Sequence, residues 1–103
     1  MTFLKVAKLS DLSEGKIKLV PAGDENICLI MSGGKVYAVQ EYCTHEDGPL
    51  SEGFLEDGKI VCPWHQAKFD IKTGKVDPDT NWTKRDLKTY KVRVKGEDVL
   101  VDA

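Results

Sequence analysis

The sequence predicts an all-β fold, a small antiparallel sandwich or barrel, on three observations. Short apolar runs rich in Val, Ile and aromatic residues recur at close spacing along the 103 residues, as they do in strands. Glycine-bearing turn sequences separate these runs. In Tyr90-Lys91-Val92-Arg93-Val94 apolar and basic residues alternate strictly, which gives a strand one buried and one wet face.

In chain order, strands are expected at Phe3 to Val6, Ile17 to Val20, Ile27 to Met31 and Val36 to Val39, the last two joined by Ser32-Gly33-Gly34. Further strands are expected at Lys59 to Val61 after Asp57-Gly58, at Lys68 to Ile71 before Thr73-Gly74, and along one run from Leu87 to Val94. A final strand, Val99 to Val101, follows the turn Lys95-Gly96-Glu97-Asp98. One helical turn near Ser10 to Ser13 is the only helix expected. From Glu41 to Trp82 the strands shorten, the loops lengthen, and Pro49, Pro63 and Pro78 fall within the stretch. It reads as an insertion that carries function. The expected organisation is therefore one domain, with a base domain of residues 1–39 and 84–103 and an insertion of about residues 40–83.

Composition narrows the function. A chain 41% hydrophobic and 31% charged fits one compact domain and is too short for two independent cores. With 15 basic and 17 acidic residues its formal charge is -2, so no sequence-wide basic surplus exists to hold nucleic acid or an anionic membrane. Met1 to Ser10 alternates apolar and charged residues, unlike a secretion signal, and no run approaches the roughly 18 apolar residues that span a bilayer. A cytoplasmic protein is expected. Three cysteines are an odd number and too few for a disulfide framework, so metal ligation or burial as thiols is expected instead.

Both histidines and two of the cysteines lie in two tight groups, Cys43-Thr44-His45 and Cys62-Pro63-Trp64-His65, separated by sixteen residues. Thiolates paired with imidazoles point to a transition metal. In a Cys2His2 zinc finger both cysteines come first and the histidines follow at longer spacing, whereas here each loop offers one ligand of each kind. Two hairpin-like loops related by approximate symmetry could place their cysteines on one iron and their histidines on the other. That suits a two-iron cluster.

These residues resemble the signature of the Rieske proteins: C-x-H, a spacer of this length, then C-x2-H. The strand-rich flanks are similar to the Rieske base domain, so the resemblance covers essentially the whole chain. It implies one 2Fe-2S cluster bound by Cys43, His45, Cys62 and His65. Two ferric irons, two sulfides, two thiolates and two neutral imidazoles sum to zero charge, so an added electron is easier to accept than in an all-cysteine cluster. Respiratory Rieske proteins carry an extra cysteine in each loop, joined as a disulfide, where this chain has Gly48 and Trp64. High-potential members also resemble one another in a serine and a tyrosine hydroxyl that hydrogen-bond the sulfurs, and the corresponding residues here are Ala67 and Phe69. With neither donor, the pattern is similar to the low-potential Rieske ferredoxins that feed aromatic-ring oxygenases. The resemblance thus implies a one-electron carrier rather than an enzyme. Its partners would be a flavin- or NAD(P)H-linked reductase and a terminal oxygenase or other oxidoreductase. The family often has glycine after the second histidine, where this chain has Gln66, and a proline-rich loop over the cluster, where it has Pro78 alone.

Two other readings stand beside this one: a Rieske-like small subunit of an oxidoreductase such as nitrite reductase, and a structural zinc module. Among the remaining residues, Cys28 is expected to be a buried strand thiol. Trp64 is either aromatic cover or a docking residue, and Leu50 either an exposed tip or an ordinary loop residue. The acidic run Glu41, Glu46, Asp47, Glu52, Glu56 and Asp57 contains no Lys or Arg. It reads as a solvated face or a surface that steers redox partners.

Overall fold

The alternation of apolar residues along the strands divides them between two cores that share one sheet. The computed structural model describes residues 3–43, 48–64, 66–78 and 85–102. Its strands are β1 (Phe3–Lys8), β2 (Ile17–Ala22), β3 (Glu25–Ser32), β4 (Lys35–Gln40), β5 (Phe54–Glu56), β6 (Lys59–Val61), β7 (Lys68–Asp70), β8 (Thr89–Tyr90), β9 (Val92–Lys95) and β10 (Asp98–Asp102). All strand pairings within the sheets are antiparallel, in the orders β1-β10-β9, β2-β3-β4-β8 and β5-β6-β7.

β3 explains why the sheets stack as they do. Its central residues Ile27, Cys28, Leu29 and Ile30 are all fully buried, so this strand is covered on both faces. Ile27 and Leu29 pack with Val20, Ala22, Ala38, Val99 and Val101 in the core facing β1-β10-β9. Cys28 and Ile30 face the other way and pack with Val39, Leu50, Ile60, Phe69, Ile71 and Leu87. The small β5-β6-β7 sheet is therefore seated on the back of the β2-β3-β4-β8 sheet.

The turns follow the sequence. Asp57 and Gly58 both have positive φ, 49° and 77°, as a two-residue hairpin between β5 and β6 requires. Gly74, at φ 78°, could not carry a side chain, since a Cβ there would lie 2.2 Å from the Leu87 carbonyl. That close approach lets the Leu87 amide donate to the Gly74 carbonyl at 2.7 Å and ties the segment leading into β8 to the turn that follows β7.

Four expectations are corrected. The single strand expected from Leu87 to Val94 breaks at Lys91 into β8, which pairs with β4, and β9, which pairs with β10; the chain changes sheets there. Its alternation is also incomplete, because Val94 is exposed where β9 runs out along its edge. β5 has no counterpart among the expected strands, since Phe54-Leu55-Glu56 is too short to show a period. The helical turn falls at Leu9–Asp11, and a second forms at Leu50–Glu52.

Leu29 has no accessible surface, so Leu29→Ala should cost about 2–5 kcal/mol, measured by denaturant unfolding. Cys28 gives a pH signature. Burial, with the hydrogen bond and charge of Glu41, pushes its thiol far above its ordinary value of 9.0. The folded chain then holds this proton more tightly than the unfolded chain does. Its contribution to stability should be complete below pH 9.0 and decline as the pH rises above it. Cys28→Ser should flatten that alkaline decline.

Candidate metal centre

Two loops with the same hydrogen-bond pattern meet above the second core. The Cys43 amide donates to the Gly48 carbonyl at 2.9 Å, and the Cys62 amide donates to the Ala67 carbonyl at 2.8 Å. Each cysteine thus closes its loop onto the residue five positions on. Just outside, Tyr42 bridges antiparallel to Pro49, and Val61 pairs with Lys68, again at equal spacing. The approximate symmetry expected from the sequence is present in the backbone.

The loops touch at a glycine. A Cβ on Gly48 would lie 2.7 Å from Cys62 Sγ and 3.2 Å from the Trp64 ring, so only the absence of a side chain lets the first loop close on the second. Cys43 and Cys62 are each about 1% exposed and share one packed core with Leu50, Ala67 and Phe69. The Trp64 amide donates to Cys62 Sγ at 3.4 Å, a contact that favours negative charge on the sulfur. Two buried thiols on matched loops, one already facing an amide donor, suit thiolate ligation of a transition metal.

Of the four ligands named from the sequence, the structure brings Cys43 and Cys62 together. His45 and His65 lie outside the described residues, as do Glu46 and Asp47. Among the described residues no group of three or more His, Cys, Asp or Glu is gathered as for a metal ion, and the cysteines form no disulfide. Two surface grooves, of about 410 Å3 beside Tyr37 and about 350 Å3 beside Tyr42, are lined by neither thiol.

Several flanking residues take defined roles. Gln66 has φ 57°, the left-handed region that favours glycine; the loop makes this turn with a glutamine at some conformational cost. Trp64 lays its ring against Gly48 and leaves about half of it exposed, so it covers the seam between the loops. Leu50 is no exposed tip: it is fully buried and fills the core beneath both cysteines. Ala67 and Phe69 are also fully buried, and neither side chain carries a hydrogen-bond donor. Cys28 is the buried thiol expected, and it donates to Glu41 Oε1 at 3.2 Å.

Glu41 overturns part of the acidic-face reading. It is 4% exposed, and its carboxylate accepts from the Ser51 amide at 2.8 Å and the Ser51 hydroxyl at 2.7 Å. Glu56 is paired with Lys68 at 3.0 Å. Among the described members of the run, Glu52, Glu56 and Asp57 remain on the surface. A buried glutamate among five other acids in sequence carries no local signal that sets it apart.

Known proteins place the chain in context. The family described as Rieske [2Fe-2S] domain matches residues 2–100. The ferredoxin component of biphenyl 2,3-dioxygenase from Rhodococcus jostii (strain RHA1) is 38% identical, over 99% of this chain and 94% of that protein. The ferredoxin of carbazole 1,9a-dioxygenase from Nocardioides aromaticivorans IC177 superposes with a TM-score of 0.87 at 27% identity, covering 98% of this chain and 97% of the other. A chain in a complex of reduced oxygenase and oxidised ferredoxin in carbazole 1,9a-dioxygenase is 33% identical, with a TM-score of 0.84 over 96% of this chain and 91% of the other.

Because a Cβ on Gly48 would fall within 2.7 Å of Cys62 Sγ, Gly48→Ala should force the loops apart. Bound metal should fall to less than about half the native content, while far-ultraviolet circular dichroism keeps its strand signature, because the base core is untouched.

Proposed function

The chain belongs to the Rieske 2Fe-2S domain family, and from that membership we propose that it is a low-potential one-electron carrier between a reductase and a terminal oxygenase. The observation that carries the proposal is the pair of matched loops, each beginning with a buried cysteine and meeting at Gly48. Cys43 and Cys62 would hold one iron, and His45 and His65 the other. When bound, the cluster supplies a site that accepts and returns a single electron.

The chain's own residues set the conditions for that exchange. Leu50, Ala67 and Phe69 keep water from the cysteine side of the site. The Trp64 amide offers one hydrogen bond to the Cys62 sulfur, and the side chains of Ala67 and Phe69 offer none. Without a hydroxyl at either of these two positions to stabilise added negative charge, the midpoint is held toward the low end of the Rieske range. Four protein ligands leave the irons no open position, so the protein moves electrons and transforms no substrate.

The acceptor follows from the relatives and the donor from the low midpoint. Ferredoxin components of dioxygenase systems, one of them in a complex with its oxygenase, support an oxygenase as acceptor, and a low midpoint calls for a flavin- or NAD(P)H-linked reductase as donor. They also favour a separate carrier over the small subunit of a nitrite reductase, and the family excludes a structural zinc module. Among the described residues no helix is long and apolar enough to cross a membrane, and we place the protein in the cytoplasm. The base of residues 1–39 and 84–103 would serve as a rigid mount, and residues 40–83 as the electron-transfer head.

Replacing His65 tests the ligand assignment. The reduced native protein should give a rhombic electron-spin resonance signal with a low average g value, and His65→Ala should abolish it. An unchanged signal in the variant would remove His65 from the ligand set.

A further inference from the structure

We infer that Glu41 is a positioning residue for the cluster, bolting the first ligand loop in place and lowering the midpoint through its buried charge. The inference rests on the Rieske reading and concerns a residue outside the ligand set.

The two loops match in pattern but differ in what holds them. The second is continued by the β6–β7 ladder, in which Lys59, Ile60 and Val61 pair with Asp70, Phe69 and Lys68. Among the described residues the first has no such ladder: Tyr42 bridges Pro49, and proline offers no amide to extend the pairing. Glu41 takes over that task. Its main-chain carbonyl accepts from the Leu50 amide at 2.8 Å, and its side chain accepts twice from Ser51. On the other side it accepts from Cys28 on β3. One residue thus ties the start of the loop to its end, and both to the doubly buried strand.

All three side-chain partners of Glu41 are donors, the arrangement that suits an ionised carboxylate, which can only accept. Among the described residues no basic side chain pairs with it, so its charge is compensated by hydrogen bonds alone. A carboxylate 4% exposed and two residues from Cys43 sits where water screens it poorly. Negative charge so placed opposes the arrival of an electron.

Two substitutions separate the bolt from the charge. Glu41→Gln keeps an acceptor for Ser51 and removes the charge. Glu41→Ala removes both and leaves the Ser51 amide and hydroxyl without this partner. In the native protein and both variants, iron loss to a chelator is timed, and the midpoint is measured where the cluster is retained. Glu41→Ala should lose iron about tenfold faster than the native protein, the scale set by the loss of buried hydrogen bonds to a charged group. Glu41→Gln should retain iron within about threefold of native and show a higher midpoint. A Glu41→Gln midpoint equal to the native value would overturn the electrostatic role. Iron loss from Glu41→Gln as fast as from Glu41→Ala, or from Glu41→Ala as slow as from native, would overturn the bolt. A native protein with no Rieske signal would instead refute the underlying reading.

Discussion

The burial of β3 on both faces is the constraint on which the molecule depends. Ile27 and Leu29 belong to one core, and Cys28 and Ile30 to the other. Because side chains alternate along a strand, a shift of register by one residue would exchange the two sets. The small β5-β6-β7 sheet therefore has one defined seat, and the loops that project from it inherit that position. The Cys28 thiol, held by Glu41, is the polar contact that carries this registry toward the ligand loops.

At the site itself, closeness is achieved by omission. Gly48 has no side chain, so Cys62 and the Trp64 ring can approach it. Ala67 and Phe69 have no hydroxyl, so neither side chain can donate to a sulfur. The described residues around the thiols supply apolar cover and an amide contact to Cys62. For an electron carrier this is a coherent arrangement. A rigid, dry pocket limits reorganisation when charge changes, and weak stabilisation of the reduced state lets the electron leave again.

Much of this was readable from the residues. Strand positions in the base followed from Val- and Ile-rich runs between glycine turns, and the paired Cys-His groups announced both loops. What stayed hidden depended on long-range contacts. The break at Lys91 comes from strand partners on different sheets. The burial of Leu50 comes from a core assembled by β3, β6 and β7. Glu41 reads as surface acid in the sequence because its partners, Cys28 and Ser51, lie thirteen residues before it and ten after it. Gln66 illustrates the converse: it departs from the family's glycine, yet its φ of 57° keeps the conformation glycine would have supplied.

The central claim is that a Rieske cluster in this protein works at low potential because Ala67 and Phe69 bring no hydroxyl to its sulfurs. Protein-film voltammetry at pH 7 tests it most directly. The account predicts a midpoint near the low end of the family's range, about -150 mV, within reach of a nicotinamide- or flavin-linked reductase. A midpoint above about +100 mV would contradict it and indicate a respiratory type of electron transfer.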